Sequence, residues 1–265
     1  MTVLEALGLG VLQGLTEFLP VSSSGHLVLA EALIGLKSAG ATFEIAVHLG
    51  TALAIVSVYW REVGVLLHAV PSFFRCLAAP EEFRRREPAR MLGLLLLSAL
   101  PAGFVGVVFK HELQGTFDRP ELTGICLTIT GLVLAATVFV RPGRSRPGMK
   151  SALGMGVAQM FAILPGISRS GSTIAAGLFA GVEREAVGRF AFLMALIPIL
   201  GAAVLECREL EGSGFGAAPL LAGMAAAYVS GVAALLLLLR FLRRGRLVFF
   251  APYCFLLGLL VLVFV

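Results

Sequence analysis

The chain has 265 residues, of which 58% are hydrophobic and only 14% charged, and its mean hydropathy is +0.95. Such a composition excludes an ordinary soluble domain and calls for a solvent other than water around much of the surface. The net charge of +5 does not point to nucleic acid, because most Lys and Arg fall in short stretches between apolar segments, where they set orientation and meet anionic lipid headgroups.

In chain order, residues 1–36 do not fit a single span. Two short apolar arms flank a break at Pro20-Val21-Ser22-Ser23-Ser24-Gly25, a pattern that suits a re-entrant pair entering and leaving on one face. These residues are not read as a signal peptide: the first basic residue is Lys37, and Glu5, Gln13 and Glu17 interrupt the apolar run. Full spans are expected at 41–60, 91–109 and 122–140. The shorter stretch 62–77, with His68 and Pro71, reads as an interfacial or poorly inserted helix. A second broken segment covers 151–182, followed by spans at 186–206, 217–240 and 247–265. The fold class is therefore an all-α integral membrane protein with six full transmembrane helices and two re-entrant helix pairs.

Loop charge orients this layout. Arg75, Arg84, Arg85, Arg86 and Arg90 lie in 75–90; Arg141, Arg144, Arg146 and Lys150 in 141–150; and Arg240, Arg243, Arg244 and Arg246 in 240–246. These stretches should be cytoplasmic, and the acidic or neutral loops 110–121 and 206–214 should face out, with both termini. Residues 1–140 and 151–265 then form two inverted-topology repeats whose broken segments meet near the midplane, where transporters place substrate sites.

The halves also share a motif. Gln13, Ser22, Ser24 and Gly25 are each separated by 146 positions from Gln159, Ser168, Ser170 and Gly171. The first copy carries Glu17 and His26, the second Arg169. A carboxylate inside a membrane segment is costly, so Glu17 is either functional or a holder of the helix–loop junction. Ser22, Ser23 and Ser24 offer hydroxyls that cap a following helix or cradle a phosphate. His26 has an imidazole suited to acid, base or nucleophile roles. Arg169 needs an anion, which phosphate oxygens or Glu17 would supply. Ser168, Ser170 and Thr173 add donors around it, and Gly166 and Gly171 permit close backbone approach. Glu44 and His48, four residues apart, either support this site or pair with each other, while Gln159 is expected to hold the second break's backbone. Gly10 and Gly14 have a spacing that permits close helix packing, although chance produces such spacings among 31 glycines. The four cysteines, Cys76, Cys126, Cys207 and Cys254, show no metal or disulfide pattern.

On the stretches Gln13 to His26 and Pro165 to Thr173, the chain resembles the undecaprenyl-diphosphate phosphatase family of integral-membrane bacitracin-resistance proteins. The resemblance extends over essentially the whole chain. It implies hydrolysis of undecaprenyl diphosphate to undecaprenyl phosphate and inorganic phosphate at the outer side of the bacterial cytoplasmic membrane, recycling the lipid carrier for peptidoglycan and other envelope polymers. It also implies a divalent cation, Mg²⁺ or Ca²⁺, and homodimers, as occur in the family. By motif position Glu17 would bind metal or act as base, and His26 would be acid/base or nucleophile. Ser23 would be a nucleophile, and Arg169 would grip the diphosphate with Ser168, Ser170 and Thr173. Two positions depart from the family's common pattern: Gln13 stands where many members have Glu, and His48 where many have Gln. A carrier for lipid phosphate or a small anion is the alternative, and it predicts no phosphate release in detergent. A structural membrane subunit would leave Arg169 and the repeated motif without a role.

Overall fold

The computed structural model describes residues 1–34, 40–76, 83, 85–117, 119–141, 143–206 and 216–264. Lys37, Arg84 and residues 207–214 of the expected outer loop, Cys207 among them, lie outside these. The described residues are almost wholly helical: α1 Val3–Phe18, α2 Ser23–Ile34, α3 Gly40–Val58, α4 Trp60–Cys76, α5 Glu87–Val108, α6 Lys110–Phe117, α7 Pro120–Ala136, α8 Met149–Phe161, α9 Arg169–Phe179, α10 Arg184–Glu206, α11 Ala217–Arg243 and α12 Ala251–Phe264. Short 3₁₀ turns follow α7 at Thr137–Phe139 and precede α12 at Leu247–Phe250.

Among the described residues, five helical stretches are long and apolar enough to cross a membrane: Glu87–Val108, Pro120–Phe139, Arg184–Val204, Ala217–Arg243 and Leu247–Phe264. A sixth is obtained by counting α3 and α4 as one bent span, since the chain turns by 92° between Val58 and Trp60. The expected span 41–60 therefore corresponds to a helix that ends at a sharp corner, and α4 is the separate helix expected at 62–77. Large apolar side chains are exposed along these helices, among them Leu100, Phe104, Leu132, Phe139, Val229 and Leu256. In water so much exposed apolar surface would drive association; in lipid it is the expected outer face.

Glu5 has a local task. Its carboxylate accepts from the Thr2 N–H at 2.8 Å while the Thr2 hydroxyl accepts from the Glu5 N–H at 3.3 Å, a capping box that opens α1. The helix stops at Phe18 because Pro20 forces Leu19 into extended backbone, with φ −61° and ψ 142°. In the second half α8 stops ahead of Pro165, and the chain turns through Gly166 at φ +96°.

Packing between the halves is reciprocal. The broken helix α1 lies on α11 and α3, while α8 lies on α5. The central helix is α10, whose Phe190, Phe192, Leu193 and Met194 anchor the core with Phe18, Ile55, Leu235 and Leu238. Small residues set the approach of α1 and α11. A Cβ on Gly10 would stand 2.3 Å from the Gly223 carbonyl oxygen, and one on Gly14 would stand 2.1 Å from the Ser230 Oγ. The Gly10/Gly14 spacing is thus a contact surface here. Gly156, 146 positions after Gly10, meets the Ser98 carbonyl on α5 at 2.4 Å in the same sense.

The basic stretches converge on one end. Arg146 pairs with Glu87, Arg189 with Glu62 at 3.6 Å, and Arg243 with Glu185 at 3.1 Å. The first two pairs border a cavity of about 600 Å³. We expect Gly14→Ala to lower stability in detergent by about 1–3 kcal/mol through overpacking. Gly8→Ala, whose Cβ would meet nothing within 4 Å, should be neutral or slightly stabilising. Thermal unfolding of both variants checks the pair.

Candidate active site

The two breaks touch each other. The Ser22 Oγ accepts from the Gly166 N–H at 3.1 Å, and the Ser170 Oγ donates to the Leu19 carbonyl at 3.3 Å. A Cβ on Gly25 would lie 3.2 Å from the Gly166 Cα, and one on Gly171 3.1 Å from the Pro20 Cβ. Each Ser also caps its own following helix: Ser22 accepts from the Gly25 N–H at 3.3 Å and Ser168 from the Gly171 N–H at 3.1 Å. The capping expected in the first copy therefore holds, and the second copy has the same cap, which explains why Ser and Gly recur three residues apart. Ser24 lies 3.3 Å from Ser22, and Ser168 3.3 Å from Ser170, oxygen to oxygen. Thr173 donates to the Arg169 carbonyl at 2.8 Å.

One buried carboxylate sits beside this junction. Glu17 has a side chain only 6% exposed. Its Oε2 accepts from Gln13 Nε2 at 3.0 Å and from the Ser23 hydroxyl at 2.5 Å. Arg169 Nη1 approaches Oε1 at 3.5 Å, and His48 Nε2 stands 3.8 Å from Oε2. The i, i+4 spacing places Gln13 and Glu17 on one face of α1, and the left-handed turn at Ser22, φ +68°, carries the chain round so that Ser23 meets that face. The 2.5 Å contact is in the range of a strong charge-assisted hydrogen bond.

Gln13, Glu17, Ser23 and Arg169 are thus brought together as the sequence suggested, and both readings of Arg169 meet there. It faces Glu17, yet its buried Nη1 has no hydrogen-bond acceptor among the described residues, and neither does Gln13 Oε1 have a donor. These unmet groups leave capacity for an anion and a donor or cation. His48 joins the cluster from α3, with its Nδ1 on the Glu44 main-chain oxygen at 2.8 Å. His26 is directed elsewhere: Nδ1 meets the Ser22 carbonyl at 2.7 Å and Nε2 meets the Tyr253 hydroxyl at 2.6 Å. Gln159, expected to hold the second break, is buried, and neither of its amide atoms has a hydrogen-bond partner among the described residues.

Two supporting residues were not singled out in the sequence. Thr130 on α7 accepts from the Ser168 N–H at 3.0 Å and donates to the Gly166 carbonyl at 2.8 Å. A hydroxyl within an apolar span was the available signal. Tyr253, on α12, carried only the signal of a scarce polar aromatic.

Among the described residues no group of three or more His, Cys, Asp or Glu could form a metal centre by itself. A Mg²⁺-like ion nevertheless fits the donor set, because such ions are commonly held by one or two carboxylates and completed by water and substrate phosphates. The Glu17 carboxylate, and Gln13 Oε1 with no donor among the described residues, are oxygens that would hold it.

A bundle of long apolar helices that closes two polar breaks around an ion-paired carboxylate defines a multi-pass membrane protein with an internal polar site. The family model for "Bacitracin resistance protein BacA" matches residues 6–260, and the chain belongs to that family. A protein of Salinibacter ruber named undecaprenyl-diphosphatase is 44% identical over 264 residues, covering 97% of both chains. One of Desulfatibacillum aliphaticivorans with the same name is 43% identical over 273 residues, covering 98% of both.

Thr130→Val should preserve shape and remove both bonds to the second break. A loss of about 1–3 kcal/mol is expected from the two backbone groups left without partners, read as a lower unfolding temperature in detergent.

Proposed function

We propose that the protein is an undecaprenyl-diphosphate phosphatase, releasing inorganic phosphate and returning undecaprenyl phosphate to cell-wall synthesis, with bacitracin resistance as the consequence. Family membership and the names of the relatives support the activity. The observation that carries the site is the contact of Ser23 with a buried Glu17 facing Arg169.

In this reading Glu17 takes the proton of Ser23 as its Oγ attacks the terminal phosphorus. The bond from that phosphorus to the bridging oxygen breaks, and undecaprenyl phosphate leaves with the proton that Glu17 took. Water then attacks the phosphoserine and gives a proton to Glu17, which returns it to the Ser23 Oγ as the Oγ–phosphorus bond breaks and inorganic phosphate departs. Arg169, with its unmet Nη1, stabilises the equatorial oxygens, where charge develops in phosphoryl transfer. Gly166, Gly171, Ser22, Ser24, Ser168, Ser170 and Thr173 build the rigid cradle around the headgroup. Glu17 and Gln13 would hold a divalent cation, Mg²⁺ or Ca²⁺, which when bound neutralises phosphate charge. His48 stands beside Glu17, its Nε2 3.8 Å from Oε2.

The same reading takes the bent pair α3–α4 as the sixth span and the two broken segments as re-entrant pairs of inverted repeats, supported by the reciprocal α1–α11 and α8–α5 packing. The clustered basic ends make that side cytoplasmic in the bacterial inner membrane. The lipid tail lies between helices, and the site opens outward. Homodimers are the assembly expected from the family resemblance.

Purified protein in detergent should release phosphate from undecaprenyl diphosphate, and EDTA should abolish it. Glu17→Ala, Ser23→Ala and Arg169→Ala should each lower turnover about 100-fold or more. No release from folded wild-type protein would favour the carrier alternative; full turnover in all three variants would remove the site assignment.

A further inference from the structure

His26 is the imidazole that the sequence offers for proton chemistry, yet both of its ring nitrogens are occupied away from Glu17. A carbonyl oxygen can only accept, so the 2.7 Å contact with the Ser22 oxygen places a proton on Nδ1. In the neutral ring Nε2 is then the acceptor, and the Tyr253 hydroxyl 2.6 Å away donates to it. The two ring planes are 5° from parallel with centroids 5.7 Å apart. The Ser22 carbonyl thus fixes the tautomer, and the Tyr253 hydroxyl holds the ring from its other nitrogen.

The target of Nδ1–H is informative. Ser22 is the one described residue other than glycine with positive φ, at +68°, a conformation that needs support from its surroundings. Its carbonyl receives two bonds from the same residue, the imidazole and the His26 main-chain N–H at 3.2 Å. The next residue is Ser23, held 2.5 Å from Glu17. A chain of contacts thus runs from Tyr253 in the last helix through His26 and Ser22 to the attacking hydroxyl. Cys254, beside Tyr253, donates to the Pro20 carbonyl at 3.6 Å, so α12 also leans on the other side of the same turn.

We infer that His26 and Tyr253 are positioning residues: Tyr253 holds the His26 ring in place, and His26 locks the Ser22 turn that presents Ser23 to Glu17. This rests on the phosphatase reading and assigns His26 no proton transfer to substrate. An asparagine side chain can supply an N–H near the place of Nδ1 but cannot act as acid or base near neutral pH, which separates the two roles.

The test compares kcat and KM for phosphate release by wild type, His26→Ala, His26→Asn, Tyr253→Phe and the His26→Ala/Tyr253→Phe double variant. It adds the tautomer of ¹⁵N-labelled histidine, assigned by comparison with His26→Ala. His26→Ala should lose about 100-fold in kcat with little change in KM, the scale of a misplaced reacting group. His26→Asn should recover about tenfold or more of that loss, since the donor is restored. Tyr253→Phe should lower kcat about fivefold in wild type and not at all in the His26→Ala background, the non-additivity of one linked unit. The His26 signal should be the Nδ1–H form, with its Nε2 resonance shifted by Tyr253→Phe. Folded His26→Asn as inactive as His26→Ala, an unaffected Tyr253→Phe, or an Nε2–H tautomer would each overturn the assignment. If His26→Asn does not fold, Tyr253→Phe and the spectrum decide. Wild type that releases no phosphate would remove the phosphatase reading, while the tautomer would still report on the Tyr253–His26–Ser22 contacts.

Discussion

Glu17 is a carboxylate with 6% of its side chain exposed, set in a bundle whose outer surface is apolar. Such a charge survives only if hydrogen bonds and a counter-charge compensate its lost hydration. α1 alone supplies Gln13. Ser23 reaches Glu17 because the helix is broken at Pro20, and Arg169 reaches it because the second half is broken at the matching place. The requirement to satisfy one buried acid therefore explains why two helices are interrupted and why the interruptions touch.

Bringing those breaks together needs close backbone packing around them. Gly10 and Gly14 let α1 approach α11, and Gly156 lets α8 approach α5. Each broken helix rests on a long helix of the other half, so neither break can move without disturbing both halves. Main-chain groups freed by the two turns are taken up by Ser22, Ser168 and Thr130. The polar residues of the repeated motif consequently serve two ends. Ser22 and Ser168 hold backbone, whereas Arg169 Nη1 and Gln13 Oε1 keep unmet capacity. A polar network with such unmet groups is costly to maintain unless a ligand completes it.

Much of this was legible in the chain. The positions of the long apolar helices followed from composition and length, and the 146-residue repetition identified which hydroxyls and glycines would share a geometry. The Glu17–Gln13 face followed from helical spacing. The 92° corner before Trp60 did not, because hydrophobicity reports what a segment buries and not the direction in which it continues. The sequence shows the chemistry of His26 but not its surroundings, which depend on Tyr253, 227 positions away. Thr130 was hidden for the same reason: its partners belong to a break 36 and 38 residues further along. Glu44 and His48 showed the limit of i, i+4 spacing, since His48 meets the main chain of Glu44 and turns its other nitrogen toward Glu17.

The proposed site is assembled from the two halves, with Glu17 and Arg169 acting as a unit. A double-mutant cycle on phosphate release measures this directly, using Glu17→Gln, Arg169→Gln and the pair in detergent-purified protein. If the two act as a unit, the double variant is no slower than the slower single variant. Losses that multiply in the double variant would contradict the account, because Glu17 and Arg169 would then be acting independently.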